Sequence, residues 1–315
     1  MTEPLMIGVD LGGTKIAFAA VDRAGNVIVE HVLATRAAEG ADAVIGRIAQ
    51  GINDVAAKAG RPVRGVGIGS PGAIDVKRGV IINAVNLNWL DVPLADGVKT
   101  LINMDVPVLV QNDVNVGAMG EFLFGAAQGI DDFVYLAVGT GLGGGAVSGG
   151  RLVSGVFGMA MEVGHVSINP HGRLCGCGTH GCAEMYISGK GLVAGAIEHL
   201  PAYPDSPLTN MTITTAAIVQ ADIDGDPLAR RVVDEAGDAL GEVMAWSVIM
   251  FNPSLLLIGG GMGKVLGERL IERARAAMSV RVYAPLLPFV QIGWSKVEST
   301  AVGAAALAWL NASDS

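Results

Sequence analysis

At 315 residues, 51% of them hydrophobic and with a formal net charge of −9, the chain is long for a single core, so two domains are expected. The negative charge excludes nucleic acid or an anionic membrane surface as the main partner, and the run Ala301 to Leu310 is too short to cross a bilayer. An odd count of three cysteines, behind an N-terminus with no basic stretch leading into an apolar one, predicts a reducing cytoplasm.

Leu5 to Asp10, Ile16 to Val21 and Val27 to Leu33 are β-rich runs separated by Gly12-Gly13 and Ala24-Gly25-Asn26, which reads as an antiparallel meander. The first turn belongs to Asp10-Leu-Gly-Gly-Thr-Lys15. It places a carboxylate at a strand end and then two glycines, whose N–H groups can approach a phosphate with no Cβ in the way. It is not a Walker A loop, because a strand follows it. Ala41 to Ala59 has helical spacing and stops at Gly60-Arg-Pro62; Val63 to Ile68 is a strand. Val106 to Gln111 is another, running into a helix from Asn112 to Phe124 that Asn112 or Asp113 can cap.

Phe133 to Val138 and Gly145 to Val147 repeat the opening pattern of strand, glycine turn, strand, which suggests two related domains. Gly139-Thr-Gly-Leu-Gly-Gly-Gly145 formally contains G-x-G-x-x-G, but the dinucleotide fingerprint needs a helix next, and a return strand follows. A second phosphate hairpin fits better, with the Thr140 hydroxyl as a further donor. Lys190 to Leu200, Thr215 to Asp222 and Pro227 to Met250 read as helices. Leu255 to Ile258 is a buried strand ending in Gly259-Gly-Gly-Met-Gly263, where a nucleotide base or ribose can lie against the backbone. Ala301 to Asn311 is a closing Ala-rich helix.

Between Glu162 and Glu184 stand all three cysteines and three of the five histidines. Cys175, Cys177 and Cys182 with one imidazole make a Cys₃His set, which leaves no open coordination position and so predicts a structural zinc. His165 is the preferred fourth ligand, although His171 and His180 stand in the same stretch. Metal removal is then expected to disorder the loop carrying Glu162 and Glu184. Those two glutamates suit vicinal sugar hydroxyls better than a glycosidase pair, given the phosphate hairpins. Asp113, beyond its capping role, is the carboxylate best placed to accept the proton of an attacking hydroxyl. Trp89 is read as core.

Taken together, Asp10-Leu-Gly-Gly-Thr-Lys15, Asn112-Asp113, Gly139-Thr-Gly141, Glu162-x-x-His165 and Cys175-x-Cys177-Gly-x-x-x-Cys182-x-Glu184 resemble the ROK family of sugar kinases and regulators. The histidine followed by the cysteine triplet is similar to the signature of its zinc-containing bacterial glucokinases. The resemblance implies an α/β, actin-like ATPase (ribonuclease H-like) fold, two related domains around a cleft. The division would be a small domain of residues 1–115, with helix 300–315 packing back on it, and a large domain of 116–299 carrying the zinc loop.

By the same resemblance Asp113 is the catalytic base, and Gly72, Asn112, Asp113, Glu162, His165 and Glu184 bind the sugar. Asp10, Gly12, Gly13, Thr14, Lys15, Gly139, Thr140, Gly141, Gly260 and Gly261 bind the nucleotide. His165, Cys175, Cys177 and Cys182 hold the metal. ATP, Mg2+ and a structural Zn2+ are the implied cofactors, in a cytoplasmic homodimer or homotetramer. The implied reaction is phosphorylation of the 6-hydroxyl of D-glucose. N-acetylmannosamine, fructose, mannose and allose are alternative acceptors, and a non-catalytic sugar-sensing regulator is a further alternative.

Overall fold

A computed structural model of the chain describes residues 3–313. The chain forms two compact units. One runs through Asp131 and takes in Gly145–Ala160 and the chain from Ser295 onward; the other is Asp132–Gly144 with Met161–Trp294.

The first unit opens with the antiparallel meander expected from sequence: β1 (Leu5–Leu11), β2 (Lys15–Val21) and β3 (Val27–Ala34). α1 (Ala41–Ala59) follows and ends at Gly60, whose φ of 59° suits a residue without Cβ. Val44, Ile48, Ile52 and Val55 of α1 are fully buried along one face. Each such side chain contributes about 1.5–3 kcal/mol of burial. Gly51 sits among them because a Cβ there would enter the Phe18 ring. β4 (Val63–Ser70) runs parallel to β1. β5 (Ala73–Asp75), β6 (Val80–Ala84) and β7 (Trp89–Val92) then form a small antiparallel sheet of their own. α2 (Leu94–Leu101), β8 (Val108–Asn112) and α3 (Asp113–Phe124) complete the main layer, whose sheet has the order β3-β2-β1-β4-β8.

β9 (Phe133–Val138) starts the second unit. In β10 (Leu142–Ser148) the chain passes back to the first, and β11 (Arg151–Leu152) pairs with the end of that strand. The return strand thus begins at Leu142, three residues before the Gly145 expected from sequence, because the turn closes within Gly139–Gly141 through a Gly139 N–H to Gly141 O bond of 2.9 Å. The helices α4 (Glu184–Ile187), α5 (Gly189–His199), α6 (Thr215–Ile223) and α7 (Pro227–Phe251) follow. α7 starts on a sound cap: Pro227 stands at its first position and the Asp226 carboxylate accepts the Ala229 N–H at 2.8 Å. β12 (Leu255–Gly259) leads into α8 (Gly261–Ser279), a helix interrupted at Gly267, and then β13 (Gln291–Trp294). β9, β12 and β13 are parallel, in a sheet of order β11-β10-β9-β12-β13.

α9 (Thr300–Ser313) belongs to the first unit. Ala301, Ala305 and Ala308 pack with Met6, Ala19 and Val21 of β1 and β2. Gly8 and Gly67 make that approach possible, since a Cβ on either would collide with the carbonyls of Ala301 and Ala304. The turn before α9 is pinned by buried Glu121, which accepts the Ser295 hydroxyl at 2.7 Å and the Val297 N–H at 2.8 Å.

Candidate active site

In the first unit three parallel strands end together. Asp10 of β1 lies opposite Gly69 of β4, and Ser70 lies opposite Asn112 of β8. Asp10 and the Asn112-Asp113 pair are thereby gathered at the carboxyl ends of neighbouring strands, where open α/β sheets bind their ligands. Asn112 caps α3: its Oδ1 accepts the N–H groups of Val114 at 2.9 Å and Asn115 at 3.3 Å. Asp113 is the first helical residue, and its Oδ1 also accepts from Val114 N–H at 2.9 Å.

A helix N-terminus favours a carboxylate, but burial outweighs it and holds the Asp113 carboxyl above the ordinary range, backbone N–H bonds opposing. Asp10 is pushed up to about 6 by burial first and by the charge of Asp113 second, with Lys15 pulling the other way. Two carboxyls that repel each other in a partly dry place are relieved by a cation. Asp10 therefore fits a hard divalent ion with oxygen ligands.

The Gly12-Gly13-Thr14-Lys15 turn joins β1 to β2. Gly12 N–H donates to Lys15 O at 3.0 Å, and Thr35 braces the turn by donating its hydroxyl to Gly12 O at 2.6 Å and its N–H to Thr14 O at 2.9 Å. Gly13, Thr14 and Lys15 are exposed at its tip. Gly72, just after β4, has a φ of 96° and packs so tightly on Asn83 that a Cβ would strike its carbonyl.

In the second unit the hairpin Gly139–Gly141 follows β9, and Gly260 follows the adjacent parallel strand β12. Gly260 has a φ of 82° and no room for a Cβ beside the Val138 carbonyl, which brings the two turns together. Gly189 N–H donates to Gly139 O at 3.0 Å, seating α5 against the hairpin. A cavity of about 500 Å³ opens there, lined by Gly139, Thr140, Lys190, Val193, Ala194, Ile197, Thr215 and Met262. Sequence reading found only its two hairpin residues. The available signal was the spacing of Lys190, Val193, Ala194 and Ile197, a single helical face carrying more apolar surface than a solvated helix needs.

The metal loop has almost no regular structure. Val163–His165 is a single 3₁₀ turn with Glu162 before it, and Cys175 to Thr179 closes on itself through Cys175 N–H to Thr179 O at 2.9 Å. Gly178 and Gly181 supply the left-handed conformations, with φ of 89° and 74°. The ligand atoms of His165, Cys175, Cys177 and Cys182 all lie within 4.8 Å of one another. His165 Nδ1 is 3.8 Å from Cys175 Sγ, and Cys177 Sγ is 3.5 Å from Cys182 Sγ. Tetrahedral zinc, with bonds of about 2.3 Å to sulfur, separates its ligands by roughly this much. The donor set therefore fits zinc. His180 is engaged elsewhere, its Nδ1 standing 2.9 Å from Gly172 O. A backbone bond from Thr179 leads in drawing the Cys177 thiol down to about 6, while burial leads in pushing Cys182 up to about 12.

Glu184 opens α4 just beyond the last cysteine, and its Oε2 accepts the Leu142 N–H at 3.0 Å. The carboxylate so occupies the space where a Cβ on Gly141 would stand.

Two α/β units, each with a glycine-rich hairpin after its first strand, give the actin-like ATPase fold. Within that class the chain belongs to the ROK family, whose model matches residues 6–310. It is 35% identical over 275 residues to a glucokinase of Streptomyces coelicolor, 82% of either chain being covered. Among solved structures, a ROK family glucokinase of Streptomyces griseus in complex with glucose and AMPPNP matches with a TM-score of 0.80 at 36% identity, covering 96% of this chain and 98% of that one. A ROK hexokinase of Thermus thermophilus matches with a TM-score of 0.84 at 31% identity, covering 99% and 100%. No helix among the described residues is long and apolar enough to cross a membrane.

Proposed function

We propose that the chain is an ATP-dependent kinase for the 6-hydroxyl of D-glucose, with Asp113 as general base. The observation that carries this reading is the position of the half-buried Asp113 carboxyl at the start of α3, directly after β8 and at the strand ends where Asp10 also stands, where burial holds it above the ordinary carboxylate range. Such a group is a stronger base than a solvated carboxylate and can take the proton of an alcohol as it attacks phosphorus. The glucokinase relatives support glucose as the acceptor.

Each sugar ligand has one part engaged in structure and another left for substrate. In Asn112 the oxygen caps α3, so its NH₂ donors remain for a sugar oxygen. Glu184 accepts Leu142 N–H on Oε2, which leaves Oε1 for a hydroxyl. With Nδ1 of His165 nearest the thiols, Nε2 is the nitrogen for the sugar. Glu162, immediately before the same 3₁₀ turn, and the backbone at Gly72 are the remaining sugar ligands of this reading.

In this reading each hairpin binds phosphate oxygens through its amides, Gly12, Gly13 and Thr14 with Lys15 in the first unit and Gly139, Thr140 and Gly141 in the second. Gly260 and Gly261 flank the nucleoside, whose base takes the apolar cavity on α5. Asp10 would hold magnesium, which supplies positive charge to the β- and γ-phosphates. His165, Cys175, Cys177 and Cys182 would hold zinc in a closed, structural set. The reading also takes the protein to be cytoplasmic, where ATP is supplied, and, by its resemblance to the family, a homodimer or homotetramer.

A coupled kinase assay over glucose, N-acetylmannosamine, fructose, mannose and allose tests the reading. Glucose should have the highest kcat/KM. A different sugar leading by about tenfold or more, the lower end of the discrimination a single pocket contact gives, would replace it as the substrate, and no turnover with any of them would end the kinase reading.

A further inference from the structure

Arg173 stands two residues before Cys175, and its guanidinium reaches three helices. Nε lies 2.6 Å from Glu198 Oε2 on α5 and Nη2 lies 2.6 Å from Glu235 Oε2 on α7. Nη1 donates to the Met185 carbonyl of α4 at 2.9 Å. The same group lies over the Tyr186 ring at 4.5 Å, and the Arg173 backbone N–H donates to the Tyr186 hydroxyl at 3.3 Å. The side chain is only 9% exposed. Lysine has no planar fork with which to serve three acceptors in separate directions. The helices leave space for it: a Cβ on Gly195 would stand 3.0 Å from Nη2, and one on Gly191 would come within 2.7 Å of the Glu184 carbonyl.

α4 has four residues, too few to hold a helical turn by its own hydrogen bonds. Its place is set by what grips it, and Arg173 grips the two residues that follow Glu184. Glu184 in turn carries the Leu142 N–H, at the exit of the Gly139–Gly141 hairpin. We propose that Arg173 is a positioning residue that seats Glu184 independently of the metal, and that Glu184, bonded to the hairpin, makes sugar affinity and nucleotide affinity depend on each other. The second half rests on the reading of Glu184 as a sugar ligand; the first does not.

The test uses zinc-loaded Arg173→Gln and Arg173→Lys proteins. In the ligand-free state the Leu142 amide should exchange hydrogen about tenfold or more faster than in the parent, the size expected for losing a bond to a charged group. Glucose KM should rise by a similar factor with kcat changed much less. The factor by which glucose tightens AMPPNP should fall towards one, and by reciprocity so should the reverse. Zinc content should stay at one per chain, and lysine should recover little. Unchanged Leu142 protection in a folded Arg173→Gln protein would overturn the proposal, as would loss of zinc along with protection. Should Arg173→Gln fail to fold, Glu198→Gln removes one arm at a carboxylate that is 55% exposed, and the same exchange measurement decides. If the parent protein turns over no hexose, the sugar reading fails while Leu142 exchange still judges the seat of Glu184.

Discussion

The two ends of the proposed chemistry are held in opposite ways. Asp10 and Asp113 stand at the tips of strands whose sheet would form without them, and the scaffold imposes burial and repulsion on them. Glu162, His165 and Glu184 stand on single turns around a glycine-rich loop, and cross-links hold them: a metal quartet on one side, Arg173 on the other. A regular scaffold can afford strained charge at its tips; an irregular one must be tied before it can present a charge at all.

The sharpest way to break this contrast is Asp113→Asn. Asparagine keeps the shape and the cap, so glucose binding measured by calorimetry should persist while turnover falls by about two or more orders of magnitude. Near-normal turnover would remove Asp113 from the chemistry.

Stripping zinc tests the other side. Metal-free protein should bind glucose about tenfold or more weakly, the range seen when the support of a ligand is lost, because His165 and Glu162 lose their frame. An unchanged glucose affinity in protein shown by metal analysis to be zinc-free would mean the loop needs no tie.

A smaller effect sharpens the claim about the first unit. The Asp10 carboxyl goes from 3.8 to about 6 on folding, so the native state holds its proton more tightly than the unfolded chain does. That raised value costs stability as pH climbs from 3.8 to about 6, and the full cost persists above. Asp10→Asn should therefore raise stability at pH 7.5 by about 1–2 kcal/mol in denaturant melts, losing the gain below about pH 4, while catalysis declines. No gain at pH 7.5 would show that the carboxylate is solvated and unstrained.

Sequence pattern revealed the elements whose local and tertiary preferences agree. The meander β1 to β3, α1 with its Gly60 stop, the Asn112 cap and the long α7 all carry their own periodicity and punctuation. The metal quartet was visible because thiols are scarce in this chain. Elements went unseen where local signals oppose the outcome. α8 begins in a glycine run and is broken again at Gly267, with φ 57°, so its helical period is masked. α2 is short, with Gly97 inside and Pro93 as its cap. β5 to β7 have three to five residues each, with Asn88 and Asp91 in left-handed conformations at φ 55° and 51°, and pairing alone makes them strands. Arg173 gave no signal because its partners, Glu198 and Glu235, are remote in sequence.

The glycines at positions 8 and 67 carry a further consequence for how the molecule is made. They hold open a berth on β1 and β4 that α9 fills. During synthesis, the face formed by Met6 of β1 and Ala19 and Val21 of β2 stays bare until the second unit, which lies between these strands and α9 in sequence, has been translated. The first unit is thus closed only after the second has been made, and a holding chaperone has its opportunity in that interval.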